Sequence, residues 1–111
     1  MSTQGSTQKT IDVGDRKFFL NLLSFENGNF VSISEGRQKI GSMVVSIGSG
    51  PAATTATVIP AKTDSLFLKL TAEKISTTIK GIGIVSLYTE RELGNETAKI
   101  LMGEVMDMVQ K

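Results

Sequence analysis

Residues 48–55 read Gly-Ser-Gly-Pro-Ala-Ala-Thr-Thr and follow the apolar run Ser42–Ile47. Glycines and hydroxyls behind a strand are parts of a phosphate cradle, in which backbone amides and a lysine grip the anion where a helix begins. The other parts are missing. No lysine occurs between Lys39 and Lys62, and the segment leads into another strand instead of a helix. Ile40–Ala61 carries no charge at all. The stretch reads as a neutral loop of a length that is either disordered or functional.

The remaining chemical candidates are few. Glu90, Glu92 and Glu96 crowd the start of the last helical pattern, where they complement the positive end of a helix dipole. They lack the ordered oxygen ligands of a calcium loop. The chain has no cysteine and no histidine. The first absence excludes disulfide scaffolds and thiolate metal sites; the second removes the commonest general base and the usual activator of a serine nucleophile. No catalytic, cofactor or metal residues are expected, and the chain reads as a non-enzyme. Twelve basic and eleven acidic side chains leave a net charge of +1, without the basic footprint of a nucleic-acid binder. Arg37 and Lys39 form only a solvated turn. No run approaches the roughly 20 apolar residues that span a bilayer. Met1–Lys9 lacks the apolar stretch of a secretory signal, and a cytoplasmic address is expected. Residues 1–6 are expected to form a flexible tail, and 7–111 one domain.

The elements that must carry any binding site follow from periodicity. Strands are predicted over Gln8–Val13, Lys17–Phe25, Asn29–Ser34 and Ser42–Ile47, as an antiparallel meander turning at Gly14-Asp15 and Asn27-Gly28. A fifth strand, Thr55–Pro60, ends at a proline that cannot donate to a ladder. Leu68, Ala72, Ile75 and Ile79 then recur at helical spacing, with Leu66 and Leu70 on a neighbouring line. Thr63 or Asp64 is the expected N-cap and Gly81 the expected stop. Ile82–Tyr88 is a sixth strand. From about Asn95 a second helix lines up Ala98, Leu101, Met102, Val105, Met108 and Val109. The fold class is α+β: a six-stranded, mainly antiparallel sheet with two helices packed against it, in the order β-β-β-β-β-α-β-α.

The second strand is apolar on both sides, with Phe19, Leu23 and Phe25 on one and Phe18, Leu20 and Leu22 on the other. Two helices cover roughly one face of such a sheet. The other needs a second chain, so dimerisation through the bare sheet face or the helices is expected. Phe18, Leu20 and Leu22, with Met106 at the edge of the last helical stripe, are the expected interface residues.

Several stretches together are similar to one family. Gln8-Lys9-Thr10 opening the first strand, Arg37–Ile47 ("RQKIGSMVVSI"), the neutral loop, Gly83–Tyr88 ("GIVSLY") and the final amphipathic helix resemble, in that order, the proteasome-assembly chaperone 3 family. The sister chaperone 4 family shares the fold. The resemblance runs from about Thr7 to Val109, with Arg37 standing where the family pattern has a glycine. It implies a homodimer, or a heterodimer with a sister chaperone, that holds α-type proteasome subunits transiently while the 20S α-ring closes. It also implies that the loop after the fourth strand lies near the client. Here that is Gly48–Thr57, with Gly48, Ser49, Gly50, Pro51, Ala52, Ala53, Thr54 and Thr55 as the expected contacts, offering hydrogen bonds and no charge. A dimeric scaffold of the roadblock or longin type is the alternative, although such modules usually open with a helix before their hairpins.

Overall fold

The computed structural model describes residues 5–48 and 50–110. The chain begins with three strands, β1 (Gly5–Val13), β2 (Arg16–Phe25) and β3 (Gly28–Glu35), paired antiparallel in sequence order. β1 starts three residues ahead of the predicted Gln8. The first turn is Gly14-Asp15 as expected, with Gly14 at a φ of 63°. The second turn is displaced by one residue, to Glu26-Asn27, and neither Asn27 nor Gly28 has the positive φ that a type I′ turn at Asn27-Gly28 requires. Gly28 is needed for another reason: a Cβ there would lie 2.5 Å from the Ile82 carbonyl oxygen of a neighbouring strand.

That neighbour is the main departure from the expected meander. β4 (Ser42–Ile47) does not pair with β3. β6 (Ile82–Tyr88) inserts between them, parallel to β3 and antiparallel to β4, and β5 (Thr54–Ile59) closes the far side. The sheet order is β1-β2-β3-β6-β4-β5, six strands of mixed direction. A parallel pair requires a long crossover, which the β4–β5 hairpin and the first helix supply. The central position also suits β6, whose Val85, Ser86 and Leu87 are all buried.

Helix α1 (Ser65–Ile79) lies over β6 and β4, while α2 (Gly94–Val109) lies by β2 and reaches β1 through Lys9–Glu104. Leu68, Ala72 and Ile75 of α1 and Leu101, Val105 and Met106 of α2 meet Leu20, Leu22, Val31, Ile33, Val44 and Val85 in one core. Register places these sheet residues on a single face: Leu20 pairs with Ile33, Val31 with Val85, and Val85 with Val44. Both helices therefore cover the same side. Leu66 and Leu70, the neighbouring line of α1, remain exposed.

The helix ends differ from expectation in their chemistry. Asp64 occupies the N-cap position of α1 but in a left-handed conformation and without capping its amides. Its carboxylate oxygens instead accept the Leu93 amide, both at 3.3 Å, tying the start of α1 to the start of α2. At the other end Lys80 takes the left-handed conformation, and the Gly81 amide donates to the Ser76 carbonyl at 3.0 Å. α2 begins at Gly94, with Glu96 in its first turn.

Candidate functional site

The face of the sheet opposite the helices carries a broad apolar surface. Pairing register assembles it row by row from residues far apart in sequence. Leu23 lies opposite Phe30, Phe30 opposite Ile84, Ile84 opposite Val45, and Val45 opposite Ala56, so one row crosses five strands. The next row runs from Phe25 past Gly28 to Ile82 and Ile47. Leu23, Phe25 and Ile47 are 44%, 52% and 47% exposed, and Val58 on the edge strand is 55% exposed. Scattered apolar side chains are normal on a surface, but a contiguous sheet of them marks an interaction site.

The opposite end of this face is polar and partly covered. Asn21, Ser32 and Ser86 form the third row. The connection from β3 to β4 has to pass the end of β6, and it crosses on this outer side. The Asn21 side-chain amide donates to Gln38 at 2.8 Å, and the Gly41 amide donates to the Ser86 hydroxyl at 3.2 Å. Lys39 Nζ sits 4.6 Å from the centre of the Tyr88 ring, a cation–π contact. The basic turn thus serves as a strap across one end of the face. No helix covers the rows from Leu23 to Val45 and from Phe25 to Ile47, which are exposed at Leu23, Phe25 and Ile47 and half-buried at Phe30, Ile84, Val45 and Ile82.

The neutral loop is shorter than its uncharged sequence implies. It spans 48–53 between β4 and β5, and Ser49 lies outside the described residues. Gly48 is buried, and its amide donates to the Gly81 carbonyl at 2.9 Å. A Cβ there would come within 2.4 Å of the Ser76 carbonyl oxygen, so only glycine lets the root of the loop approach the end of α1 this closely. Gly50, Pro51 and Ala52 are exposed and Ala53 partly so. Thr54 and Thr55 belong to β5. The Thr55 hydroxyl donates to Glu73 Oε2 at 2.7 Å and lies 3.2 Å from the Ser46 hydroxyl, to which Ser76 also donates. That hydroxyl is committed to holding β5 against α1.

The residues expected at a dimer interface are placed elsewhere. Phe18 and Leu20 are 0% exposed, Leu22 4% and Met106 6%; the three strand residues lie beneath the chain's own helices, and Met106 is on the buried side of α2. The division of β2 into two apolar faces holds, but the face these three share is the one that the helices occupy. The face without helices carries Phe19, Leu23 and Phe25, continued by Phe30, Ile84 and Val45.

One constellation had no local signal in the sequence. Arg16 and Glu35 end the helix-side face as a buried pair, with Arg16 Nε 2.9 Å from Glu35 Oε2 and Nη2 2.7 Å from Oε1. Arg16 also donates to the carbonyls of Arg91 at 2.9 Å and Glu92 at 3.0 Å, and Glu35 Oε1 accepts the Glu90 amide at 3.0 Å. The fork shape of guanidinium matches the carboxylate, and its remaining donors hold the turn before α2. The Arg16 hydrogen bonds hold the Glu35 carboxyl below the usual glutamate range, against the opposing effect of burial. Only the parity of Arg16 with Phe18, and of Glu35 with Ile33, marks two charges on an apolar face. Glu90, Glu92 and Glu96 do not converge; among the described residues no group of three or more potential ligands could hold a metal ion.

No family model matches the chain, and no curated protein does. Among solved structures, a chain described as part of a novel chaperone complex for yeast 20S proteasome assembly superposes with a TM-score of 0.70. The match covers 96% of this chain and 95% of that one, at 10% sequence identity. At that identity the likeness is one of fold, and the architecture expected from the resemblance to the proteasome-assembly chaperones is the architecture this chain has.

Proposed function

We propose that the chain is a non-catalytic chaperone that dimerises and transiently holds α-type subunits while the α-ring of the 20S proteasome assembles, in the cytoplasm. The observation that carries this reading is the bare apolar face from Leu23 to Val45, on a fold shared end to end with a chain of a yeast proteasome-assembly chaperone complex. The face is open and apolar and has no helix over it, which suits burial against a like surface better than enclosure of a small ligand. Its partner is a second copy or a sister chaperone. A strand, not a helix, occupies Gly5–Val13, the region where a roadblock or longin module would carry its opening helix, and this favours the chaperone reading over the scaffold.

Co-expression with proteasome α subunits tests the proposal. The chain is expected to co-purify with α subunits and early assembly intermediates and to be absent from the mature 20S particle. Retention in the mature particle, or no association with α subunits, overturns it.

A further inference from the structure

The two edges of the sheet are built for opposite fates. An edge strand offers unpaired amides and carbonyls to any passing strand, and proteins blunt it with charge, particularly charge turned inward. β1 is blunted in this way. It carries Asp12 and Lys9, and Lys9 turns to the helix side, where it pairs with Glu104 and Asp107 of α2. β5 has no such protection. Its sequence, Thr-Thr-Ala-Thr-Val-Ile, is uncharged and mostly β-branched, and its one partner in the sheet is β4. Four of its six residues, Ala56 through Ile59, are exposed in unbroken succession.

The space beside this edge is shaped for side chains. A cleft of about 340 Å³ opens between β5 and α1, lined by Val44, Thr57, Ile59 and Leu68, with Leu66 and Lys69 on its helix side. Lys69 makes no ion pair among the described residues. Glu73, one turn further along α1, is engaged by Thr55.

We infer that β5 takes an extended segment of the client protein as a seventh strand. Main-chain hydrogen bonds supply the pairing, an apolar side chain of the segment enters the cleft, and a carboxylate near it meets Lys69. The inference rests on the chaperone reading, since the client is the α subunit held there. A second copy fits this edge less well. The outer face already serves a two-fold contact under that reading, and another two-fold contact on the edge either closes four chains into a ring or strings them into a filament.

Hydrogen exchange with and without co-expressed α subunits tests the inference. Amides of Thr54–Ile59 that point away from β4 are expected to slow about tenfold or more in the complex. Ala56→Pro and Thr57→Pro form a matched pair, because neighbouring strand amides point to opposite sides. One proline removes a donor to β4 and lowers the melting temperature. The other removes an outward donor and is expected to keep the melting temperature while cutting co-purification about tenfold. Lys69→Glu is expected to weaken capture several-fold in a salt-dependent way. A complex that forms with β5 exchange unchanged and both proline variants still binding overturns the inference and leaves the chaperone reading intact. Protection of β5 that rises with the concentration of the chain alone also overturns it, making the edge a contact between copies. No complex with any α subunit removes the functional reading and the inference together.

Discussion

The two faces of the central strands are built from similar residues and have opposite surroundings. On the helix side Phe18, Leu20, Val31, Ile33 and Val85 are no more than 1% exposed, and the face ends in a buried arginine–glutamate pair. On the outer side Leu23, Phe30, Ile84 and Val45 form an equally apolar row with only a strap across one end. Apolar content alone does not separate a core from an interface. The number of helices available to cover each side does.

Substitutions on the two faces are expected to act on different equilibria. The largest effect belongs to the buried pair. Glu35→Ala leaves the Arg16 guanidinium without its carboxylate and is expected to cost about 3–5 kcal/mol in urea unfolding. Leu20→Ala, a cavity in the core on the helix side, is expected to cost about 2–5 kcal/mol. A loss below about 1 kcal/mol for either would mean that the helix side is not the rigid face.

The same pair sets an acid dependence. Because the native Glu35 pKa is lowered, its stabilising contribution is complete above the unfolded glutamate value of about 4.3 and is lost as pH falls through the native value. Wild type is therefore expected to lose stability faster than Glu35→Gln as pH drops below about 4, so that the gap between them narrows with acid. A gap independent of pH would remove the ionised pair from the account.

On the outer face the order of sensitivities reverses. Leu23→Glu is expected to change protomer stability by under about 1 kcal/mol, since the side chain is already 44% exposed. In sedimentation the same variant is expected to shift the chain from two copies towards one. A wild-type chain that stays monomeric at high concentration would erase the distinction between the faces. Thr55→Val, which removes the hydroxyl shared with Glu73 and Ser46, is expected to cost about 1 kcal/mol of stability and to leave sedimentation unchanged.

Local pattern made every element of this fold legible, because each strand and helix carries its own period and its own stops. Pairing was legible only where neighbours in sequence are neighbours in space. The placement of β6 beside β3 depends on a crossover of more than forty residues, from Glu35 to Ile82, and no local pattern encodes it. The assignment of faces failed for a related reason. Periodicity divides β2 into two sets without saying which one meets the helices. The answer lay in β3, where Val31 and Ile33 alternate with Ser32 and lie opposite Leu22 and Leu20. The Asn27-Gly28 signal was real chemistry at work on another task, since Gly28 is required by the approach of Ile82.

The grip of Arg16 on the turn before α2 carries a kinetic consequence. Its contacts reach partners 19, 75 and 76 positions along the chain, and such distant closures are slow to form. The C-terminal helix has no finished seat until the opening hairpin and β3 have come together. A nascent chain not yet extended through α2 would expose that unfilled seat, and the fold stays open at this end until α2 has emerged from the ribosome.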